Sequence, residues 1–189
     1  MRKIPTLFVR DPEDMRYLTR EVHPDCQWVL DGEGTPTRKY DGTCVLFDAE
    51  ANWWARREVK PGRDWPAGFM QADYDDVTDK TVGWMPIDAD WQFFKMLHEA
   101  LGSHSDLSKP GTYELCGPKI NGNPEGFELH TLIRHAAAEE LDPALPRDYD
   151  SVAAILTDLT WTYEGIVWHH PDGRMAKIKR RDFPRTREA

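Results

Sequence analysis

The feature that most constrains the fold is a β-hairpin signal near the C-terminus. Two short runs at residues 165–168 and 175–179 carry apolar side chains and flank the sequence His-Pro-Asp-Gly at residues 170–173. A turn rich in Pro, Asp and Gly between two such runs predicts antiparallel pairing. The hairpin is the last element that the sequence predicts.

Other strand and helix signals are spread along the chain. Strands are predicted at residues 6–10, 37–47, 52–59 and 112–116, with a tight turn at Gly42 dividing the second run. Helices are predicted at residues 88–101, capped by Asp88 or Asp90 and stopped by Gly102, and at residues 151–159, capped by Asp150 or Ser151. Together these elements predict an α+β fold of antiparallel sheets with flanking helices.

Length and composition exclude several classes of protein. A chain of 189 residues with 40% hydrophobic residues has the size of one domain, residues 1–189, and enough apolar surface to exclude global disorder. No run approaches the roughly 18 apolar residues of a membrane span, and no signal-peptide-like segment follows the N-terminus. We expect a soluble, intracellular protein without a membrane partner. No oligomeric state follows from the sequence.

The spacing of cysteines and aspartates argues against a structural metal ion. Cys26, Cys44 and Cys116 are an odd number without C-x-x-C spacing, so we expect reduced, partly buried thiols rather than disulfides or a zinc site. The acidic cluster at residues 73–79 lacks the pattern of a calcium loop and is expected to be a solvated loop.

The charge is unevenly distributed. A net charge of −9 argues against nucleic-acid binding by bulk attraction alone. The C-terminal basic segment, residues 174–187, nevertheless contains one acidic residue, Asp182, among seven basic ones. These are Arg174, Lys177, Lys179, Arg180, Arg181, Arg185 and Arg187.

Two strings place charged side chains at strand spacing. Lys39 and Asp41 are two residues apart, so on a strand both would leave the same face. Lys177 and Lys179 repeat this spacing around Ile178, which would enter the core. Adjacent ammonium groups repel each other and are tolerated best when a polyanion such as a triphosphate lies between them. The alternatives are a surface ion pair for the first string and a solvated strand face for the second.

Two glutamates lie in apolar surroundings. Glu114 lies between Tyr113 and Leu115, and Glu164 directly precedes the first hairpin strand. An unpaired buried carboxylate costs several kcal/mol, on the order of other buried charges, so each should contact a metal ion, a lysine or a sugar hydroxyl. A structural salt bridge would meet the same requirement.

The lysines and carboxylates described above are together the groups that transfer of a nucleotide to a lysine requires. With a reference pKa near 10.4, only about one lysine in 2,500 is neutral at pH 7. Neighbouring cations lower a lysine pKa, and a fall of two to three units raises the reactive fraction roughly a hundredfold or more. Lys177, Lys179 and a divalent ion held by carboxylates would supply that field and neutralise charge on an α-phosphate.

The order of these strings resembles motifs I, III, IV and V of the covalent nucleotidyltransferases, which include the ATP-dependent polynucleotide ligases and the mRNA capping enzymes. The four strings are KYDG at residues 39–42, YELCG at 113–117, EGIVW at 164–168 and KIK at 177–179. Within the superfamily the chain is most similar to the small vertebrate-type 5′-to-3′ RNA ligases, over about residues 5–184. Further strings support this likeness: KYDGTC at 39–44, WAR at 54–56, GWMP at 83–86, INGNP at 120–124 and LIRH at 132–135.

The resemblance implies an ATP-grasp-like nucleotidyltransferase domain and an RNA ligase that works in three steps with Mg²⁺ or Mn²⁺. Lys39 would attack the α-phosphate of ATP to form lysyl-AMP and release pyrophosphate. AMP would then pass to an RNA 5′-phosphate, and a 3′-hydroxyl would displace it to seal the strand.

The resemblance also implies roles for matching side chains. Glu164 and Asp41 would bind the metal ion, Glu114 the ribose, and Lys177 and Lys179 the α-phosphate. The implied nucleotide contacts are Arg38, Asp41, Gly42, Arg56, Glu114, Phe127, Lys177 and Lys179. Phe127 is the first candidate to stack on adenine and His130 the second, while Asn121 and Asn123 form a turn or bind the ligand.

Two departures from the family pattern bear on which kind of nucleotidyltransferase we expect. Arg38 stands where relatives often have an acidic residue, and the sequence ends ten residues after Lys179, so no OB-fold is expected. This favours a minimal RNA ligase that holds RNA through Arg56, Arg57 and the C-terminal basic segment. The alternatives are a ligase of nicked duplexes or DNA ends, and a nucleotide-dependent RNA-binding protein without turnover.

Overall fold

The computed structural model describes residues 3–76, 79–103 and 109–184. The chain divides into two compact units. The middle unit comprises Met1–Lys3 and Asp41–Ala137, and the terminal unit comprises Ile4–Tyr40 and Ala138–Ala189. The prediction of one adenylyltransferase domain over residues 1–189 stays a prediction.

The secondary-structure elements follow one another in this order. The strands are β1 (Phe8–Arg10), β2 (Leu18–Val22), β3 (Thr35–Lys39), β4 (Thr43–Phe47), β5 (Trp53–Val59), β6 (Met70–Asp75), β7 (Lys80–Pro86), β8 (Gly111–Cys116), β9 (Thr131–Arg134), β10 (Gly165–His169) and β11 (Met175–Lys179). The helices are α1 (Gln27–Leu30), α2 (Phe94–Ser103) and α3 (Tyr149–Thr157). Over the described residues, every ladder between these strands is antiparallel, which confirms the α+β prediction.

The terminal unit is built on a three-stranded sheet in which β10 lies between β11 and β3. Strands β1 and β2 form a separate two-stranded sheet. Alternate residues of β10 and β11 enter the core, so Ile166, Trp168 and Ile178 are buried, and α3 packs Val152 and Leu156 into the same cluster. The residues between them on these strands lie on the opposite face.

The middle unit contains a six-stranded sheet in the order β6-β7-β5-β4-β8-β9. One face is apolar, with Val45, Tyr113 and Leu115 packed against Leu97 and Ala100 of α2. The opposite face carries the residues that alternate with these on β4 and β8, among them Cys44 and Glu114, which are directly paired across the two strands.

The hairpin and the buried strand are confirmed, whereas several boundaries differ from prediction. β10 and β11 pair in register from Gly165↔Lys179 to His169↔Met175. The residues before Phe94 form turns closed by backbone hydrogen bonds between residues i and i+3, so helix α2 begins only at Phe94. Gly102, which was expected to stop the helix, lies inside its last turn. Helix α3 is capped by Asp148 instead of Asp150 or Ser151.

Two further expectations are wrong. The acidic cluster is not simply a loop, because Asp73 and Asp75 lie on β6, whose ladder with β7 is irregular between Gln71 and Asp73. Lys39 and Asp41 do not share a strand face, because β3 ends at Lys39. None of the described helices has the length and apolar character needed to cross a membrane.

Candidate active site

Two lysines and one carboxylate form a charged triad at the ends of the three-stranded sheet. The Lys39 ammonium donates to Glu164 Oε2 at 2.5 Å, and the Lys179 ammonium donates to Glu164 Oε1 at 2.5 Å. Lys39 and Lys179 both lie opposite Gly165, one on each neighbouring strand, so their side chains leave the same face. The structure thus brings together residues predicted from three distant strings.

Burial and charge act together on this triad. Burial alone raises the pKa of the Glu164 carboxyl, but attraction to Lys39 and Lys179 outweighs it and lowers the pKa below its usual value. Burial lowers the pKa of Lys179, and repulsion from Lys39 lowers it further against the pull of Glu164. Of the partners expected for Glu164, the structure shows lysine, and both carboxylate oxygens have one.

Lys177 lies on the same face of β11 as Lys179. Ile178, between them, is fully buried, which confirms the predicted alternation. Lys177 pairs with Val167 on β10, and its backbone also bonds to Pro5 and Leu7 near the N-terminus. Its predicted contact with the α-phosphate stays a prediction.

Arg38 leaves β3 on the face opposite Lys39. It pairs with the buried Ile166 in the ladder, and its guanidinium lies over the rings of Tyr40 and Tyr163, 4.5 and 4.1 Å from their centroids. The guanidinium also forms an ion pair with Glu139 at 3.2 Å. These protein contacts give Arg38 a structural part in the sheet, and its nucleotide contact stays a prediction.

In the middle unit a chain of hydrogen bonds surrounds Glu114. The Gly42 N–H donates to Glu114 Oε1 at 3.1 Å, and His135 Nε2 lies 3.0 Å from Glu114 Oε2. His135 Nδ1 in turn lies 2.9 Å from the Thr112 hydroxyl. A Cβ at Gly42 would lie 2.3 Å from the Leu115 carbonyl oxygen, so only glycine fits there.

Asp41 is held by two residues from the segment that follows β8. Its N–H donates to Glu125 Oε1 at 2.8 Å, and Asn121 Nδ2 donates to its Oδ1 at 2.9 Å. Asn121 Nδ2 also donates to the Gly42 carbonyl at 2.8 Å. Asn121 therefore shapes the backbone around Asp41 and Gly42, a role that the sequence pattern left between turn and ligand.

Arg56 lies on β5, opposite Trp84 of β7 in the sheet ladder. Its guanidinium lies 5.3 Å from the centre of the Trp84 ring, and it interacts electrostatically with Cys44. Burial lowers the pKa of Arg56 relative to an exposed arginine. Together with Arg57 it also lines a cavity of about 810 Å³ in the middle unit.

The two candidates for adenine stacking differ in their surroundings. Asn123 makes two hydrogen bonds with the Phe127 backbone, which fixes the loop but leaves the ring half-buried. His130 is buried, with one ring nitrogen 2.5 Å from the Pro118 carbonyl and the other 2.8 Å from Glu99. Its ring is therefore occupied by protein contacts, which favours Phe127.

The chemistry of Glu164 fits a magnesium ion. Mg²⁺ is usually bound by one or two carboxylates together with substrate phosphates and water, and Glu164 supplies one such carboxylate. Both of its oxygens are paired with ammonium groups, so a metal ion would take the place of one of those pairs. Asp41, the other predicted ligand, belongs to the middle unit.

Three residues of the middle unit that contact predicted site residues were not predicted or were given no role. His135 and Thr112 complete the hydrogen-bond chain to Glu114, and Glu125 holds the Asp41 backbone. Of the C-terminal basic segment, Arg180 donates to the Trp161 carbonyl at 2.7 Å, whereas Arg181 is exposed. Arg185 and Arg187 lie outside the described residues.

Comparison with known proteins gives one finding that bears on function. No family model matches the chain. RNA ligase 1 of Pongo abelii is 37% identical to it over 81 residues, which are 40% of this chain and 25% of that protein. The match thus spans about a quarter of the relative's length. Part of this chain is similar to a protein named as an RNA ligase.

Proposed function

We propose that this protein is an ATP-dependent RNA ligase that joins 5′-phosphate and 3′-hydroxyl ends through a lysyl-AMP intermediate. The observation that carries the proposal is the triad of Lys39, Glu164 and Lys179. The similarity to RNA ligase 1 supports the same class of enzyme.

Lys39 is the proposed nucleophile because the resemblance assigns it that role and Glu164 holds its ammonium beside that of Lys179. An amine attacks only after losing its proton, so Lys39 must give up its proton before the step. When Lys39 attacks, a bond forms between Nζ and the α-phosphorus, and the bond to the pyrophosphate oxygen breaks. Glu164 positions both ammonium groups before the nucleotide arrives.

Lys179 is the proposed stabiliser of charge on the α-phosphate. Its ammonium is held beside that of Lys39 by the shared carboxylate, and Lys177 leaves the same strand face. Fixed positive charges in a partly buried site stabilise developing negative charge strongly, because they need no reorganisation. A bound Mg²⁺ or Mn²⁺ would neutralise triphosphate charge, with Glu164 as its ligand.

The nucleotide contacts of the middle unit belong to the same proposal. The resemblance assigns the ribose to Glu114 and further contacts to Asp41, Gly42, Arg56 and Phe127. The structure supports an ordered environment for these residues, since Glu114 and Asp41 each have two hydrogen-bonded partners.

The decisive experiment is covalent labelling with ATP carrying radioactive phosphorus at the α-position. Incubation with Mg²⁺ should leave label on the denatured protein, and mass spectrometry should find AMP on the peptide that contains Lys39. Lys39→Ala and Lys39→Arg should abolish the label. His98→Ala is the control, because His98 is exposed on α2.

Substrate choice separates the proposal from its alternatives. Sealing should be efficient for RNA 3′-hydroxyl strands and weaker for matched DNA strands or nicked duplexes. Equal sealing of DNA would favour the ligase of nicks or DNA ends. Nucleotide binding without any covalent label would instead favour the RNA-binding protein without turnover and exclude the lysyl-AMP mechanism.

A further inference from the structure

A thiol, a carboxylate and an imidazole from three elements meet in the middle unit. Cys44 lies on β4, Glu114 on β8, and His135 begins the short 3₁₀-helix after β9. One possible ligand atom from each residue lies within 4.8 Å of those of the other two. Cys44 and Glu114 are cross-strand neighbours, so the sheet itself fixes two of the three donors.

We propose that Cys44, Glu114 and His135 form a binding site for a borderline-soft divalent cation of the zinc class. A mixed set of sulfur, nitrogen and oxygen donors suits Zn²⁺ and is unsuited to Mg²⁺ or Ca²⁺, which prefer oxygen alone. Bonds of about 2.0–2.3 Å to a tetrahedral ion place two ligand atoms about 3.3–3.6 Å apart. Glu114 Oε2 and His135 Nε2 are already 3.0 Å apart.

The groups behind the donors orient them as a metal site requires. A histidine that binds a metal through one nitrogen usually donates the N–H of the other to a nearby oxygen, and the Thr112 hydroxyl lies 2.9 Å from Nδ1. A hydroxyl both donates and accepts, so Thr112 satisfies either tautomer. The Gly42 N–H donates to Glu114 Oε1, which leaves Oε2 as the ligand atom.

The donors are partly shielded yet reachable. The side chains of Glu114 and His135 are 11% and 27% exposed, and Cys44 is half-buried. Three protein ligands leave one tetrahedral position for water or an exogenous ligand. The site therefore resembles an exchangeable metal site more than a closed structural one.

The consequence for activity rests on the proposed function. If Glu114 contacts the ribose of ATP, a cation held by Glu114 competes with the nucleotide. Micromolar zinc would then inhibit lysyl-AMP formation, and a chelator would restore it. Metal binding itself does not depend on whether Glu114 contacts ribose. The metal site and the ligase function can therefore be refuted independently.

The first test is a titration of the reduced, chelator-treated full chain with Co²⁺, which reports its ligands by absorption. We expect one Co²⁺ bound, with a thiolate-to-cobalt charge-transfer band that disappears when Zn²⁺ is added. Cobalt binding without this band would overturn the proposal, because Cys44 would not be a ligand. Absence of binding would identify the cluster as a structural hydrogen-bond network.

Variants assign the ligands individually. Cys44→Ser should abolish the band, and His135→Ala should weaken zinc binding by more than the roughly 10–100-fold typical of losing an outer-shell partner. His98→Ala, a histidine of the same unit outside the cluster, should bind zinc normally. Unchanged zinc affinity in folded Cys44→Ser and His135→Ala would contradict the assignment.

A measurement on the unaltered protein covers the case in which those variants do not fold. Zinc should protect Cys44 from alkylation, as read by mass spectrometry of its peptide, and a chelator should restore the reaction. Equal alkylation of Cys44 with and without zinc would reject the site. If zinc protects Cys44 but the protein never acquires AMP, the metal site stands and the ligase proposal fails.

Discussion

Gly165 packs so closely against Ile178 that a Cβ at Gly165 would lie 2.0 Å from the Ile178 carbonyl oxygen. The contact lies within the β10–β11 ladder, directly beside the triad of Lys39, Glu164 and Lys179. Even one methyl group at this position must separate the two strands, because the obstructing atom is backbone.

Gly165→Ala should therefore lower both the stability and the covalent labelling of the protein. We expect a lower Tm and a labelling rate reduced at least tenfold, since displacement by about 1 Å at a catalytic site can cost a hundredfold in rate. Gly102→Ala is the matched control: it lies in helix α2 with open space around it and should hold or raise the Tm. Normal labelling by Gly165→Ala would show that the strand contact does not position the lysines.

Lys179→Ala should reduce lysyl-AMP formation without unfolding the protein. Glu164 keeps Lys39 as its partner in this variant, so no buried carboxylate is left unpaired. We expect labelling to fall roughly a hundredfold or more, as when a stabilising donor is removed from an active site. Lys95→Ala, on the exposed face of α2, is the control. Normal labelling in both Lys179→Ala and Glu164→Gln would refute the site assignment.

Removing positive charge from the C-terminal basic segment should weaken RNA sealing and spare self-adenylation. The variant replaces Arg181, Arg185 and Arg187 by alanine and keeps Arg180, whose guanidinium donates to the Trp161 carbonyl. Fewer phosphate contacts should also flatten the dependence of sealing on salt concentration. Loss of the first step would instead assign these arginines to nucleotide binding.

Asp148→Ala should destabilise the protein at neutral pH but not in acid. Asp148 caps α3 by accepting from the Ser151 N–H, and this hydrogen bond lowers the pKa of its carboxyl. A lowered pKa means stability that is present above the unfolded value, near 3.9, and lost as the pH falls through the folded value. We expect a loss of about 1 kcal/mol at pH 7.

Equilibrium unfolding at several pH values measures this difference. Its size should shrink below about pH 4, where the unfolded chain takes up the proton first, and disappear once the folded carboxylate is also protonated. Asp148→Asn keeps a capping oxygen and should retain most of the stability at pH 7. A loss independent of pH would show that the charge of Asp148 adds nothing to the cap.

Cys26 should resist alkylation in the native protein. Burial raises the pKa of its thiol to about 12, so only about one molecule in ten thousand carries the reactive thiolate at pH 8. Mass spectrometry should find the Cys26 peptide unmodified under native conditions and modified in denaturant. Rapid native modification would indicate that the core of the terminal unit opens.

Local signals in the sequence predicted much of the fold. The hairpin of β10 and β11 follows from a turn between two apolar runs, and β8 from a run of buried residues. β2, β6, β7 and β9 were not predicted, since their strand character depends on pairing with other strands of their sheets. Asp148 was missed as a cap for a different reason, because several acidic or hydroxyl residues stand near the start of α3.

The site was predicted where the family resemblance supplied distant partners. Lys39 and Glu164 are 125 residues apart, and their contact has no local signature. The bond between Asp41 and Glu125 spans 84 residues and was not predicted, because neither residue's neighbours indicate it. The zinc-class cluster is a similar case: sequence spacing excludes a C-x-x-C site but is blind to ligands that a sheet brings together.

Arg38 and Lys39 are neighbours in the sequence but leave opposite faces of β3. Arg38 anchors the strand, and Lys39 reaches the triad. The Arg38 guanidinium lies over two tyrosine rings and pairs with Glu139, so these contacts hold β3 on the face opposite Lys39. That restraint sets the direction in which the next side chain points. Substitutions at position 38 should accordingly change the position of the Lys39 ammonium as well as the contacts of Arg38 itself.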